Sequence, residues 1–193
     1  MSPAEILLGF VAILVGIAVA DIAGSLHRLL RAGSRVRWHW YPIAAAVLLI
    51  LLSLQVWWSF APLGRAGARI TFGMFLPFVF GQILLYLVAS ATLPDTIPEE
   101  GIDLKRYYFE QQRYFWLLFA ALIAFFFLHN LSRSWIRLGI SSLPQALWKE
   151  VPNLVVLGMV LSLAFVRRSW WHAVWLSVLP LLILATAFNR PLT

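Results

Sequence analysis

The chain of 193 residues contains no cysteine. That excludes a disulfide framework, a thiol nucleophile, a Cys-ligated iron–sulfur cluster and a Cys-based zinc site. Charge is nearly as scarce, with only 12% of residues charged and eight acids against fifteen Lys and Arg. Apolar residues fill 62% of the chain and the mean hydropathy is +0.84. A water-soluble domain is about half apolar and a quarter charged, so the solvent that suits this chain is a bilayer. The sequence also lacks a G-x-S-x-G elbow, a phosphate-cradling glycine loop and an H-E-x-x-H zinc pair. Glu99-Glu100, its one adjacent acid pair, falls in a Pro/Gly-rich turn, and the last span has no lysine to form a retinal Schiff base. No enzyme is expected, and no metal or cofactor.

What is present is a succession of apolar runs. A spanning helix takes about 20 residues, and six runs approach that length: 5–30, 41–60, 70–92, 107–129, 151–166 and 170–188. The fold expected is an all-α integral membrane bundle of about six transmembrane helices, forming one domain over residues 1–193. Joints 31–38 and 61–69 carry Gly, Pro and Arg, while joint 93–103 (LPDTIPEEGID) stops one helix at its prolines and offers Asp103 as cap for the next. Residues 132–150 mix Trp135, Ile136, Leu138, Leu143, Leu147 and Trp148 with charges, the pattern of an amphipathic interfacial segment. Pro152 is expected to turn the chain back into the bilayer. Ala18-Val19-Ala20 imitates a signal-peptide cleavage site, but no basic residue precedes the apolar core, so the first helix is expected to stay. There is no internal repeat.

The net charge of +7 does not point to nucleic acid, because the cations sit in short joints. Arg28, Arg31, Arg35, Arg37, Lys105, Arg106, Arg113, Arg167 and Arg168 fall on one side; Arg65, Arg69, Arg133, Arg137, Lys149 and Arg190 fall on the other. The richer side is expected in the cytoplasm, which puts both termini outside. Arg28, Arg31, Arg35, Arg37, Arg167 and Arg168 are the expected contacts to anionic lipid head groups. Arg106, Glu110 and Arg113 share a helix face and are expected to neutralise one another. Nine of the ten tryptophans read as interfacial belts, Trp57, Trp58, Trp135 and Trp148 outside and Trp38, Trp40, Trp116, Trp170 and Trp171 inside.

Asp21 is the acid that breaks the pattern. At ~1.5 Å per residue it lies roughly 22 Å along the first span, where an ionised carboxylate costs about 2.5–3.5 kcal/mol. Ala12, Gly16, Ala20 and Gly24 recur every four residues beside it, a small-residue stripe suited to close helix packing. Asp21 is therefore expected to face inward, either hydrogen-bonded to Ser25 or Gln82 as a tie between helices, or acting as a proton or cation site. Gln55, Asn130 and Asn153 are expected to make interhelical hydrogen bonds. His27, His39 and His172 fall near one boundary, where two imidazoles flanking a haem iron is a third option; His129 stands alone near the other.

Taken together, DIAGSLHRLL, RVRWHWYP, LQVWWSF, LYLVASATLPD and YYFEQQRYFW, spread over the first two thirds of the chain, resemble a widespread family of small bacterial polytopic membrane proteins of unassigned activity. The resemblance implies a bacterial inner-membrane location and brings no functional residues with it. The leading expectation is a non-enzymatic inner-membrane module, an accessory or packing subunit of a homo-oligomer or larger membrane complex. A proton- or cation-linked transporter or channel centred on Asp21 is the alternative, followed by a haem-binding electron carrier.

Overall fold

Helix boundaries follow the turn formers. In the computed structural model, which describes residues 3–65, 71–139 and 143–188, α1 (Pro3–Ala32) ends where Gly33 takes φ 56°, a left-handed angle that costs glycine nothing. A short 3₁₀ turn, Gly33–Arg35, leads into strand β1 (Val36–Arg37), and α2 (Trp40–Arg65) follows. After residues 66–70, α3 (Phe72–Ser90) runs into the LPDTIPEEGID joint, which holds β2 (Ile102–Asp103) before α4 (Leu104–Leu138). Then come α5 (Leu143–Phe165) and α6 (Ser169–Phe188). The described chain is all-α but for β1 and β2, which pair in parallel with Val36 opposite Ile102 and Arg37 opposite Asp103.

Spans Glu5–Arg35, Trp40–Phe60, Leu104–Ile136 and Pro144–Phe165 are long and apolar enough to cross a membrane; the described apolar stretches Phe75–Ser90 and Ser169–Ala185 are shorter. The outer surface is as greasy as the interior, with Ile13, Phe72, Phe165 and Leu181 all exposed. That distribution suits lipid, which gives apolar side chains no reason to hide. This is a helical membrane protein.

The main core joins α1, α2, α3 and α4 to the inner faces of α5 and α6 through residues such as Ile22, Leu48, Leu49, Leu85, Trp116, Leu163 and Leu176. A smaller cluster of Leu7, Val11, Val15, Phe60 and Phe78 closes the other end of α1. α5 lies along α4 and α6 along α2, while α5 and α6 meet only sparsely. The amphipathic stretch 132–150 is divided between the last turns of α4 and the first turns of α5, at the tip of this helical hairpin, with residues 140–142 outside the described set. Gly139, φ 78°, caps α4 there and its N–H bonds Trp135 O at 2.9 Å. Pro152 does not start the descent: it lies inside α5, which already began at Leu143. Arg69, Ile70 and Arg190 of the expected joints and spans lie outside the described residues.

Candidate functional site

α1 presents Leu7, Val11, Val15, Ala18, Ile22, Ser25 and Leu29 inward, at helical spacing. The small residues therefore lie elsewhere than expected: Ala12, Gly16 and Ala20 are exposed and Gly24 is half-buried. A Cβ on Gly16 meets nothing within 4 Å, and one on Gly24 meets only the flexible end of Arg28 at 3.6 Å. The inward ridge consists of larger aliphatic side chains, which make more van der Waals contact with α2 and α3 than a glycine stripe can. Close backbone approach occurs on α3 instead, where a Cβ on Gly81 falls 2.9 Å from the Phe126 ring of α4.

Asp21 sits on the edge between these two faces, half-buried, and its Oδ2 is buried without a hydrogen-bond partner. Gln82 is fully buried, and both its amide atoms lack partners. Asp21 and Gln82 are thus not bonded to each other. Ser25 is not the acid's partner either. Its hydroxyl accepts from Arg28 Nη2 at 2.7 Å and donates to Asp95 Oδ1 at 3.5 Å, and Arg28 itself reaches Asp95 at 3.3 Å. Arg28, expected at lipid phosphate, is drawn back by this acid of the third joint. Arg31, Arg35, Arg37, Arg167 and Arg168 are exposed, Arg37 lying 3.6 Å from Asp103. Arg106 pairs with Glu110 at 2.7 Å, and Arg113 is exposed.

A set of buried, hydrogen-bonded polar side chains gathers at the joint between α5 and α6, with Gln112 Oε1 left without a partner. Carbonyls of the last turn of α5 have no partners within their own helix. Gln112 of α4 supplies one, its Nε2 donating to Leu163 O at 2.8 Å and Val166 O at 3.0 Å. His172, fully buried, supplies another at 2.7 Å from Nε2 to Val166 O, so that nitrogen carries the proton. Its Nδ1 then accepts from the Tyr108 hydroxyl at 2.8 Å, and Tyr108 accepts from Trp116 Nε1 at 3.0 Å. Every member of the chain has its direction set, and His172 is a neutral imidazole whose one available lone pair, on Nδ1, is taken by Tyr108. It has none left to offer an iron atom. An indole N–H at one end and a carbonyl at the other also give a proton no way in or out, so the chain is a clamp. Tyr41 of α2 joins it, its hydroxyl donating to Ser169 O at 2.9 Å and touching Ser169 Oγ.

Sequence patterning left these residues out of the site. Trp116, expected in the interfacial belt, is fully buried. The signal was present: Leu104, Tyr108, Gln112, Phe115 and Phe119 are buried in steps of three and four, opposite the charged row of Arg106, Glu110 and Arg113. Of the other histidines, His27 is exposed and His129 is sandwiched by Phe78 and Phe125, its Nε2 without a partner.

Two further caps stand at the same end. The Asp103 carboxylate receives the N–H groups of Lys105 (2.9 Å) and Arg106 (3.1 Å), capping α4 as expected; chiefly the Arg106 N–H, with Lys105 N–H and the Arg37 charge in support, lowers its pKa from 3.8. His39 Nδ1 accepts from Tyr41 N at 3.4 Å at the start of α2, and burial together with the nearby Lys105 lowers its pKa from 6.5. Joints α1–α2, α3–α4 and α5–α6 thereby form one end of the bundle.

At the other end Asn130 of α4 donates to Glu150 Oε1 of α5 at 3.3 Å, while Asn153 stays within α5, donating to Glu150 Oε2 at 2.6 Å. Gln55 lines a cavity of about 590 Å³ between α2, α4, α5 and α6, with Leu48, Leu122, Val156 and Leu179 in its walls and Lys149 and Asn153 toward its mouth. Asp21 takes no part in that cavity. Among the described residues, no group of three or more His, Asp or Glu is placed to hold a metal ion. No protein-family model, curated protein or solved structure matches the chain.

Proposed function

We propose that this protein is a non-enzymatic helical module of the bacterial inner membrane, which assembles with a second copy or with another membrane protein through the outward face of α1. One observation carries the proposal: Ala12, Gly16 and Ala20 are exposed in a row, and space is open where a side chain on Gly16 belongs. Small residues at a lipid-facing surface let a foreign helix approach to backbone contact, the usual basis of association where water no longer drives it. The kinship with small bacterial polytopic membrane proteins belongs to the same proposal. So does the orientation, with the cation-rich joint end in the cytoplasm, both termini outside, and Arg31, Arg35, Arg167 and Arg168 on anionic head groups.

The test is Gly16→Ile. Energy transfer between labelled copies in liposomes, and the set of proteins co-purified from membranes, should both fall to background while the thermal midpoint stays put. Unchanged association in both assays removes the proposal.

A second role is favoured by one specific feature, the unpartnered Asp21 Oδ2 and Gln82 amide, which are groups a cation or proton site uses. It requires proton or cation flux in liposomes that Asp21→Asn abolishes; liposomes without flux dispose of it.

A further inference from the structure

The cavity between the α4–α5 hairpin and the α2–α6 pair is built for one kind of occupant. It exists because α5 and α6, though consecutive, diverge from their shared joint and leave a cleft floored by α2 and α4. Along α2 it reaches from Leu48 to Val56 and along α4 from Phe119 to Phe127, about 12 Å at ~1.5 Å per residue. One leaflet of a bilayer has about 15 Å of hydrocarbon, half of a core of roughly 30 Å. The cleft is therefore about as long as one acyl chain. Its volume is about 590 Å³. A transmembrane helix is too large for it, because a cylinder about 10 Å wide fills ~420 Å³ in each turn of 5.4 Å and several turns are needed to span.

Chemistry at the mouth points the same way. The walls at depth are Leu, Val and Phe, and polar groups appear only toward the hairpin tip, as Gln55, Lys149 and Asn153. Lys149 is exposed and has no ion pair among the described residues. Its neighbour Glu150 is engaged elsewhere, one oxygen on Asn130 and the other on Asn153. An apolar slot with an ammonium at its rim complements a fatty chain that carries a phosphate at its head.

We propose that the cleft binds a glycerophospholipid from the adjoining leaflet, with one acyl chain between α5 and α6 and its phosphate on Lys149. The site is separate from the cationic joints at the opposite end and does not depend on association through α1.

Wild type, Lys149→Gln and Val156→Trp are reconstituted in bilayers of phosphatidylethanolamine and phosphatidylglycerol, exchanged into mild detergent and weighed intact by native mass spectrometry. The wild type is expected to keep one phospholipid through washing, Lys149→Gln to keep it about fivefold less, and Val156→Trp, which fills the cleft, to lose it with the thermal midpoint unchanged. Wild type emerging without lipid overturns the proposal, as does a retained fatty acid without phosphate or retention equal in all three. Should Val156→Trp fail to fold, Lys149→Gln decides alone, since its lies on the exposed surface: undiminished retention is then the overturning result.

Discussion

The two ends of this bundle are held by different means. At the joint end, two strands pair, His39 and Asp103 cap helices, and Tyr108, Gln112, Trp116 and His172 close a buried hydrogen-bonded clamp over the end of α5. At the hairpin end, Asn130 of α4 bonds Glu150 of α5 on the surface, and a cleft opens beside them. Polar groups buried in hydrocarbon are costly unless satisfied, and a satisfied set fixes geometry in a way apolar contact does not. The joint end is accordingly the rigid reference and the hairpin end the adaptable one.

Substitutions can break that contrast or sharpen it. Gly101 adopts φ 91°, and a Cβ there stands 2.4 Å from the Arg35 carbonyl oxygen. Gly101→Val should force the strands apart at a cost of about 3 kcal/mol or more, read as a large fall in thermal midpoint. His172→Leu strands the Tyr108 hydroxyl and should cost roughly 2–3 kcal/mol, measured the same way. Acid should loosen the joint end in two steps. Both His39 and Asp103 have folded pKa values below their ordinary ones, so the stability each adds is complete above its unfolded pKa and drains as pH falls through the folded one. The first loss should begin below about pH 6.5 and the second below about 3.8, visible in a pH series of melting curves. Asp103→Ala should remove the second step and cost about 1 kcal/mol at neutral pH. Smallest of all, Asn130→Ala at the hairpin end should cost about 0.6 kcal/mol. If Asn130→Ala proves as damaging as His172→Leu, the two ends are equally held and the contrast fails.

Most of the fold was legible because span length and joint composition are one-dimensional signals. Asp103 as a cap could be read from a single residue before an apolar run. Facing is harder. The every-fourth stripe of Ala12, Gly16, Ala20 and Gly24 and the ridge of Val11, Val15, Ala18 and Ile22 are both regular, and in lipid the hydrophobic effect does not say which one turns inward. Arg28 and Asp95 are 67 residues apart, a pairing that no local pattern reveals. Tyr108 and His172 are 64 residues apart, each in an aromatic-rich stretch of its own, and nothing local in either stretch points to the other. Gln112 and His172 in turn bond the carbonyls of Leu163 and Val166 at the end of α5, groups that every sequence contains and none advertises.

The strand pair has a consequence for how the protein is made. Val36 meets Ile102 only after about 66 further residues have left the ribosome, some 3 to 13 s at ~5–20 residues per second. During that interval the first helical pair resides in the bilayer with its staple open and Arg35's carbonyl uncovered. Whatever escorts a nascent chain has that window in which to act before the joint snaps shut.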